Sequence, residues 1–136
     1  MRYFDVANAG EDGMAFQNHK LVLPEHLNQY GYLFGGNLLK WIDEAAWIAA
    51  SLDYPGCAFV TIAMDRVEFR KSVRKGTILE LDLQSVRRGN TSVQYDAEVF
   101  RCDATPENRV SIFATRVTLV RVDADGVKMP LPPVSS

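Results

Sequence analysis

From Gly35-Gly36 to Tyr54-Pro55-Gly56 the chain carries one helical pattern, and every long pattern after it belongs to strands. Leu38, Leu39, Ile42, Ala45, Ala46, Ala49 and Leu52 recur at the three-to-four-residue spacing of an amphipathic helix, here over residues 35–53. Residues 59–69, 78–86, 91–100 and 109–122 are rich in Val, Ile, Thr, Phe and Tyr, the composition of β-strands. A further strand is expected at residues 16–23, stopped by Pro24, and Gly89-Asn90 fits a two-residue hairpin turn.

This order leaves surface uncovered. Phe59, Ala63, Val67 and Phe69 alternate with Val60, Ile62 and Met64, so the run is apolar on both faces. One helix covers one face of an antiparallel sheet and neither edge. A second, identical chain related by a two-fold axis is the simplest cover. The expected class is α+β, a hotdog fold: one long helix wrapped by a five- to six-stranded antiparallel sheet and obligately paired.

With 136 residues, 47% of them hydrophobic, the chain suits one domain. The expected layout is a flexible N-terminus at 1–14, a single domain at 15–122 and a polar, proline-rich tail at 123–136. A net charge of -2 gives no case for nucleic acid or an anionic membrane. The first residues lack the basic-then-apolar order of a secretory signal, and no apolar run is long enough to span a bilayer. Cys57 and Cys102 are isolated, without the spacing of a metal site or a disulfide framework. A cytoplasmic protein with reduced thiols, no metal and no cofactor is expected.

The chemistry concentrates around Asp43, which shares a helical line with Leu39, Ala46, Trp47 and Ala50. Its neighbour Glu44 has Lys40 four residues earlier as an expected partner. A carboxylate on an apolar line is satisfied by a backbone group or water, neutralised, or used. Gly35 and Gly36 open the helix, where free N–H groups suit a developing oxyanion. Asn28, in the preceding loop, offers an amide to a substrate carbonyl or caps a turn. Amide, backbone donors and an acid or base together are the equipment of acyl transfer. His19 and His26, in a strand and a loop, read as packing or surface residues, and neither cysteine has an activating neighbour.

The stretch "PEHLNQYGYLFGGNLLKWIDEAA" from Pro24 to Ala46 resembles the hotdog-fold acyl-CoA thioesterases, with Asn28, Gly31, Leu33, Phe34, Gly35, Gly36 and Asp43 in register. "VTIAMDRVEF" from Val60 is similar to that family's Val-Thr strand, and "RGNTS" from Arg88 to its Gly-Arg-Thr-Ser hairpin. His26, Tyr32, Ser72 and Thr77 depart from the residues usual there. The resemblance implies hydrolysis of acyl-CoA to free acid and CoA. Asp43 would serve as general base or nucleophile, a Gly35 or Gly36 N–H would hold the oxyanion, and Asn28 would position carbonyl or water. Coenzyme A would be part of the substrate, not a cofactor.

An acidic chain needs a local basic patch for the CoA phosphates. Arg70, Lys71, Arg74 and Lys75 supply one, Arg87 and Arg88 a second, and the family hairpin brings in Thr91 and Ser92. The expected partners are acyl-CoA and the chain itself, as a homodimer or a tetramer or hexamer built from it. A non-catalytic acyl-CoA binding or sensing module is the alternative reading, and a hotdog hydratase would want a catalytic histidine in the helix or strands. Asp43 lies eight residues beyond Gly35, about 12 Å along a helix, so one site is expected to combine Asn28 and Gly35-Gly36 of one chain with Asp43 of its partner.

Overall fold

The computed structural model describes residues 15–103 and 108–133. The expected N-terminal segment 1–14 and the last three residues of the tail lie outside them. Strand β1 (Ala15–Leu21) leads through a 3-10 turn, Pro24–His26, into helix α1 (Gly35–Asp53). Strands β2 (Ala58–Phe69), β3 (Ile78–Arg88), β4 (Ser92–Cys102) and β5 (Val110–Val122) follow. They form one five-stranded sheet in the order β1-β3-β4-β5-β2, antiparallel throughout.

The helix lies on one face of that sheet. Its buried stripe is Leu38, Trp41, Ile42, Ala45, Ala46, Ala49 and Ala50, where four alanines let the axis approach the strands closely. Opposite stand Leu79, Leu81 and Leu83 of β3, Val93, Tyr95 and Val99 of β4, and Phe113, Val117 and Leu119 of β5, all fully buried. Asp43 is not on that stripe. It sits at its margin, half-buried, with Trp47 49% exposed one turn later.

Two local expectations change. The hairpin between β3 and β4 turns at Asn90-Thr91, one residue later than Gly89-Asn90, because Gly89 N–H donates to the Ser92 carbonyl at 2.8 Å. A register shift between Ser85 and Arg87 moves the pairing on by one. Glu44 pairs with Lys20 of β1 at 3.5 Å rather than with Lys40. The polar tail is tied down: Leu131 is buried and its N–H donates to the Asn90 carbonyl at 2.8 Å.

The covering problem falls on β2. This strand is an edge, and Val60, Ile62, Val67 and Phe69 are 44%, 56%, 41% and 58% exposed in the single chain. An edge strand so apolar is a surface for another chain.

Candidate active site

Helix α1 starts without a side-chain cap. Phe34, extended at φ -70° and ψ 129°, holds the N-cap position, and no acidic residue occupies the first turn. The Phe34 carbonyl accepts from Asn37 N–H at 3.0 Å and Leu38 N–H at 3.4 Å. The N–H groups of Gly35 and Gly36 donate to no acceptor among the described residues. A Cβ at Gly36 would lie 2.6 Å from the Phe34 ring, and one at Gly35 3.1 Å from the Phe69 ring. Both glycines therefore keep the helix start open, and Gly35, Leu38, Phe69, Lys71 and Val73 line a cavity of about 140 Å³ there.

Asn28 settles its own orientation. Its Oδ1 accepts from Tyr30 N–H at 2.9 Å and Tyr32 N–H at 3.1 Å. That is the turn-capping role, and it fixes which end of the amide is oxygen. Nδ2, which has no acceptor among the described residues, remains as a donor. The loop is held further by Asn37 Nδ2, which donates to the His26 carbonyl at 3.1 Å. His26 accepts Leu23 N–H on Nδ1 at 2.9 Å and meets the Trp41 ring edge-on at 4.8 Å. It is a packing residue.

Asp43 lines a different space. Thr61 of β2 donates its hydroxyl to Asp43 Oδ1 at 2.5 Å. Both belong to an open groove of about 520 Å³ with Lys40, Glu44, Trp47 and Val60. Gly35 and Asp43 of one chain thus line separate cavities, as the helical rise requires. The residue that sequence reasoning left out of the site is Thr61; its Val-Thr strand was visible, its partner on the helix was not.

A second carboxylate on the same helix makes the contrast. Asp53 is buried at the far end and accepts the Tyr95 hydroxyl at 2.6 Å. Burial pushes its carboxyl up, against the lowering effect of that hydroxyl. The bond is internal, between two buried side chains.

The basic candidates divide between the ends of the helix. Arg74 lies over the Tyr32 ring at 4.6 Å and donates to its hydroxyl at 2.9 Å, while Leu33 N–H donates to the Val73 carbonyl at 2.8 Å. This connection, with Lys71 and Lys75, borders the helix start. Arg70 in the same stretch is committed to Glu68, Glu98 and Ser111. Arg88 sits at the opposite end, over the Tyr54 ring at 5.4 Å and donating to the Leu131 carbonyl at 3.2 Å. Nineteen residues of helix separate the two groups, about 28 Å. Within one chain Arg87, Arg88, Thr91 and Ser92 do not join Arg74 and its neighbours.

On the sheet face away from the helix, His19, Glu80 and Cys102 bring one donor atom each within 4.8 Å of one another. Arg109 donates to Glu80 and, at 3.3 Å, to Asp82. Burial raises the Cys102 thiol above its ordinary value. Glu80 belongs to an ion-pair network with His19, at 3.8 Å, and Arg109.

Comparison with known proteins gives the family and the fold. Residues 30–106 match the family described as the thioesterase superfamily. The mouse acyl-coenzyme A thioesterase 11 is 34% identical over 104 residues, 76% of this chain, which spans 17% of the mouse protein's length. The hexameric hotdog fold thioesterase of Campylobacter jejuni is 33% identical and superposes with a TM-score of 0.76, over 85% of this chain and 88% of that one. An acyl-CoA hydrolase from Staphylococcus aureus, in complex with butyryl coenzyme A, coenzyme A and coenzyme A disulfide, is 26% identical with a TM-score of 0.80, over 89% of this chain and 73% of that one. Mutant structures of that hydrolase replace an asparagine, a threonine and an aspartate by alanine. The helix-on-sheet architecture expected from the sequence is the hotdog fold of these neighbours.

Proposed function

This chain belongs to the thioesterase superfamily, and from that premise we propose that it hydrolyses acyl-CoA to a free acid and CoA, in an assembly of identical chains. The observation that carries the reading is Asp43, a half-buried carboxylate held on one oxygen by Thr61 and opening on a groove of about 520 Å³. Thr61 takes Oδ1, so Oδ2 is left to accept a proton from water or to attack the thioester carbon itself.

The oxyanion and the carbonyl need donors, and Asp43's own helix start is too far away. Two helices antiparallel about a dyad bring one helix's start to the other's middle. The Gly35 and Gly36 N–H groups and Asn28 Nδ2 of one chain then face Asp43 and Thr61 of its partner. The exposed apolar edge of β2 supports such a pairing. Hexamers and acyl-CoA complexes are described for the Campylobacter and Staphylococcus proteins.

The nucleotide belongs with Lys71, Arg74 and Lys75, whose charges are the least committed of the basic connection; Arg70 is held by carboxylates. Arg87, Thr91 and Ser92 reach the same CoA only from the second chain. The test is release of free CoA from acyl-CoA thioesters by the purified protein. Tight acyl-CoA binding without release would make it the non-catalytic module instead.

A further inference from the structure

The groove at Asp43 is polar at one end and apolar at the other. Lys40 stands three residues before Asp43 on the helix and Trp47 four residues after it, both lining the same space. Those spacings place them one turn to either side of the carboxylate on one helix face. Lys40 has no ion-pair partner among the described residues, because Glu44 is taken by Lys20. Trp47 lines the groove with Val60 of β2 and is 49% exposed in the single chain. A tryptophan half in water, on a helix whose core stripe is already filled by Leu38, Ile42 and the alanines, is not needed for the packing of this chain.

We propose that Trp47 is the specificity-determining residue of the acyl subsite, its indole forming the wall at which a straight acyl chain stops. The proposal rests on the thioesterase reading and adds the direction of the substrate: the CoA arm leaves toward Lys40, the acyl chain toward Trp47 and Val60. An aromatic wall one helical turn from the reacting carboxylate would set the acyl length at which kcat/KM stops rising.

The experiment is a profile of kcat/KM against acyl length, from acetyl- to hexadecanoyl-CoA, for wild type, Trp47→Phe and Trp47→Ala. In the wild type kcat/KM should climb with each methylene accommodated, by about fourfold, and then stop. The stopping length should move outward in Trp47→Phe and further in Trp47→Ala, with the acetyl rate changed least. A stopping length common to all three proteins, or one uniform loss at every length, overturns the proposal. A wild type releasing no CoA from any thioester overturns the parent reading and this one with it. The unaltered ring gives a second readout in Asp43→Asn protein: tryptophan emission should shift to the blue as the acyl group of bound acyl-CoA lengthens and not with CoA alone. Equal shifts with CoA and acyl-CoA would place Trp47 outside the acyl path.

Discussion

Thr61 of the edge strand donates its hydroxyl to Asp43 of the helix across 2.5 Å. This bond joins the two elements that line the groove and leaves Asp43 Oδ2 without a hydrogen-bond partner among the described residues. Replacing Asp43 by Asn keeps the shape and the bond from Thr61 but removes the proposed base or nucleophile. The expected result is a loss of at least about 10²-fold in kcat with little change in acyl-CoA binding. A variant retaining most of its kcat would make the Asp43–Thr61 pair a strut between helix and strand.

Thr61 should matter through the carboxylate it orients. Thr61→Val is nearly isosteric and lacks the donor, so kcat should fall about tenfold while KM stays close to wild type, a loss of about 1.4 kcal/mol in line with one charge-assisted hydrogen bond. Thr61→Ser restores the hydroxyl and should recover most of the rate. A serine variant no better than valine would show that the methyl packing, not the hydroxyl, is what the site needs.

The basic connection predicts an unequal response. Arg74→Ala and Lys71→Ala should raise KM for acyl-CoA several-fold more than for the matching acyl-pantetheine, and added salt should mimic part of that effect. Arg70 is engaged by Glu68 and Glu98, so Arg70→Ala should alter both substrates alike. Steady-state KM values for the two thioesters decide it, and an Arg74 effect equal on both would remove that residue from the nucleotide.

The helix and its boundaries were legible in the sequence because the signals are local: two glycines at one end, Tyr54-Pro55-Gly56 at the other and an apolar stripe between them. Strand positions were legible for the same reason. What the sequence hid is set by residues far apart in the chain. Glu44 takes Lys20 from β1 instead of Lys40, and Arg70 is held by Glu98 from β4. The tail reaches back across 43 positions to Arg88. Asn28, Gly35, Gly36 and Asp43 were recognised as candidates by residue type and spacing, whereas Thr61 gains its role only when β2 is laid beside the helix.

Asp53 gives a pH test of stability at the other end of that helix. Burial raises its carboxyl above the ordinary 3.8, the Tyr95 hydroxyl opposing. The folded protein therefore keeps this proton to higher pH than the unfolded chain does. The favourable contribution is complete below about pH 3.8 and is lost as pH rises through the folded value. Asp53→Asn is neutral throughout and still accepts from Tyr95. Between pH 4 and pH 7 the stability difference should move in the variant's favour, by about 1.4 kcal/mol for each tenfold difference in proton affinity. Urea midpoints of the two proteins across that range check it; a constant difference would mean that the carboxylate is hydrated in the native state.

The last prediction concerns which chains build a site. Gly35 and Asp43 line separate cavities in one chain, and eight residues of helix put them about 12 Å apart. An aspartate side chain spans only part of that distance, even leaning toward the helix start. The helix start of a second, antiparallel chain removes the gap. Chains carrying Asn28→Ala and chains carrying Asp43→Ala should each be inactive alone. Refolded together in equal amounts, half of the dimers are mixed, and each mixed dimer holds one doubly damaged site and one intact site. About a quarter of wild-type sites should therefore return. A site built within one chain is damaged in every combination and gives no recovery. Inactivity in a mixed dimer verified by mass would overturn the shared site and leave the oxyanion donors of Asp43 to be sought on its own chain.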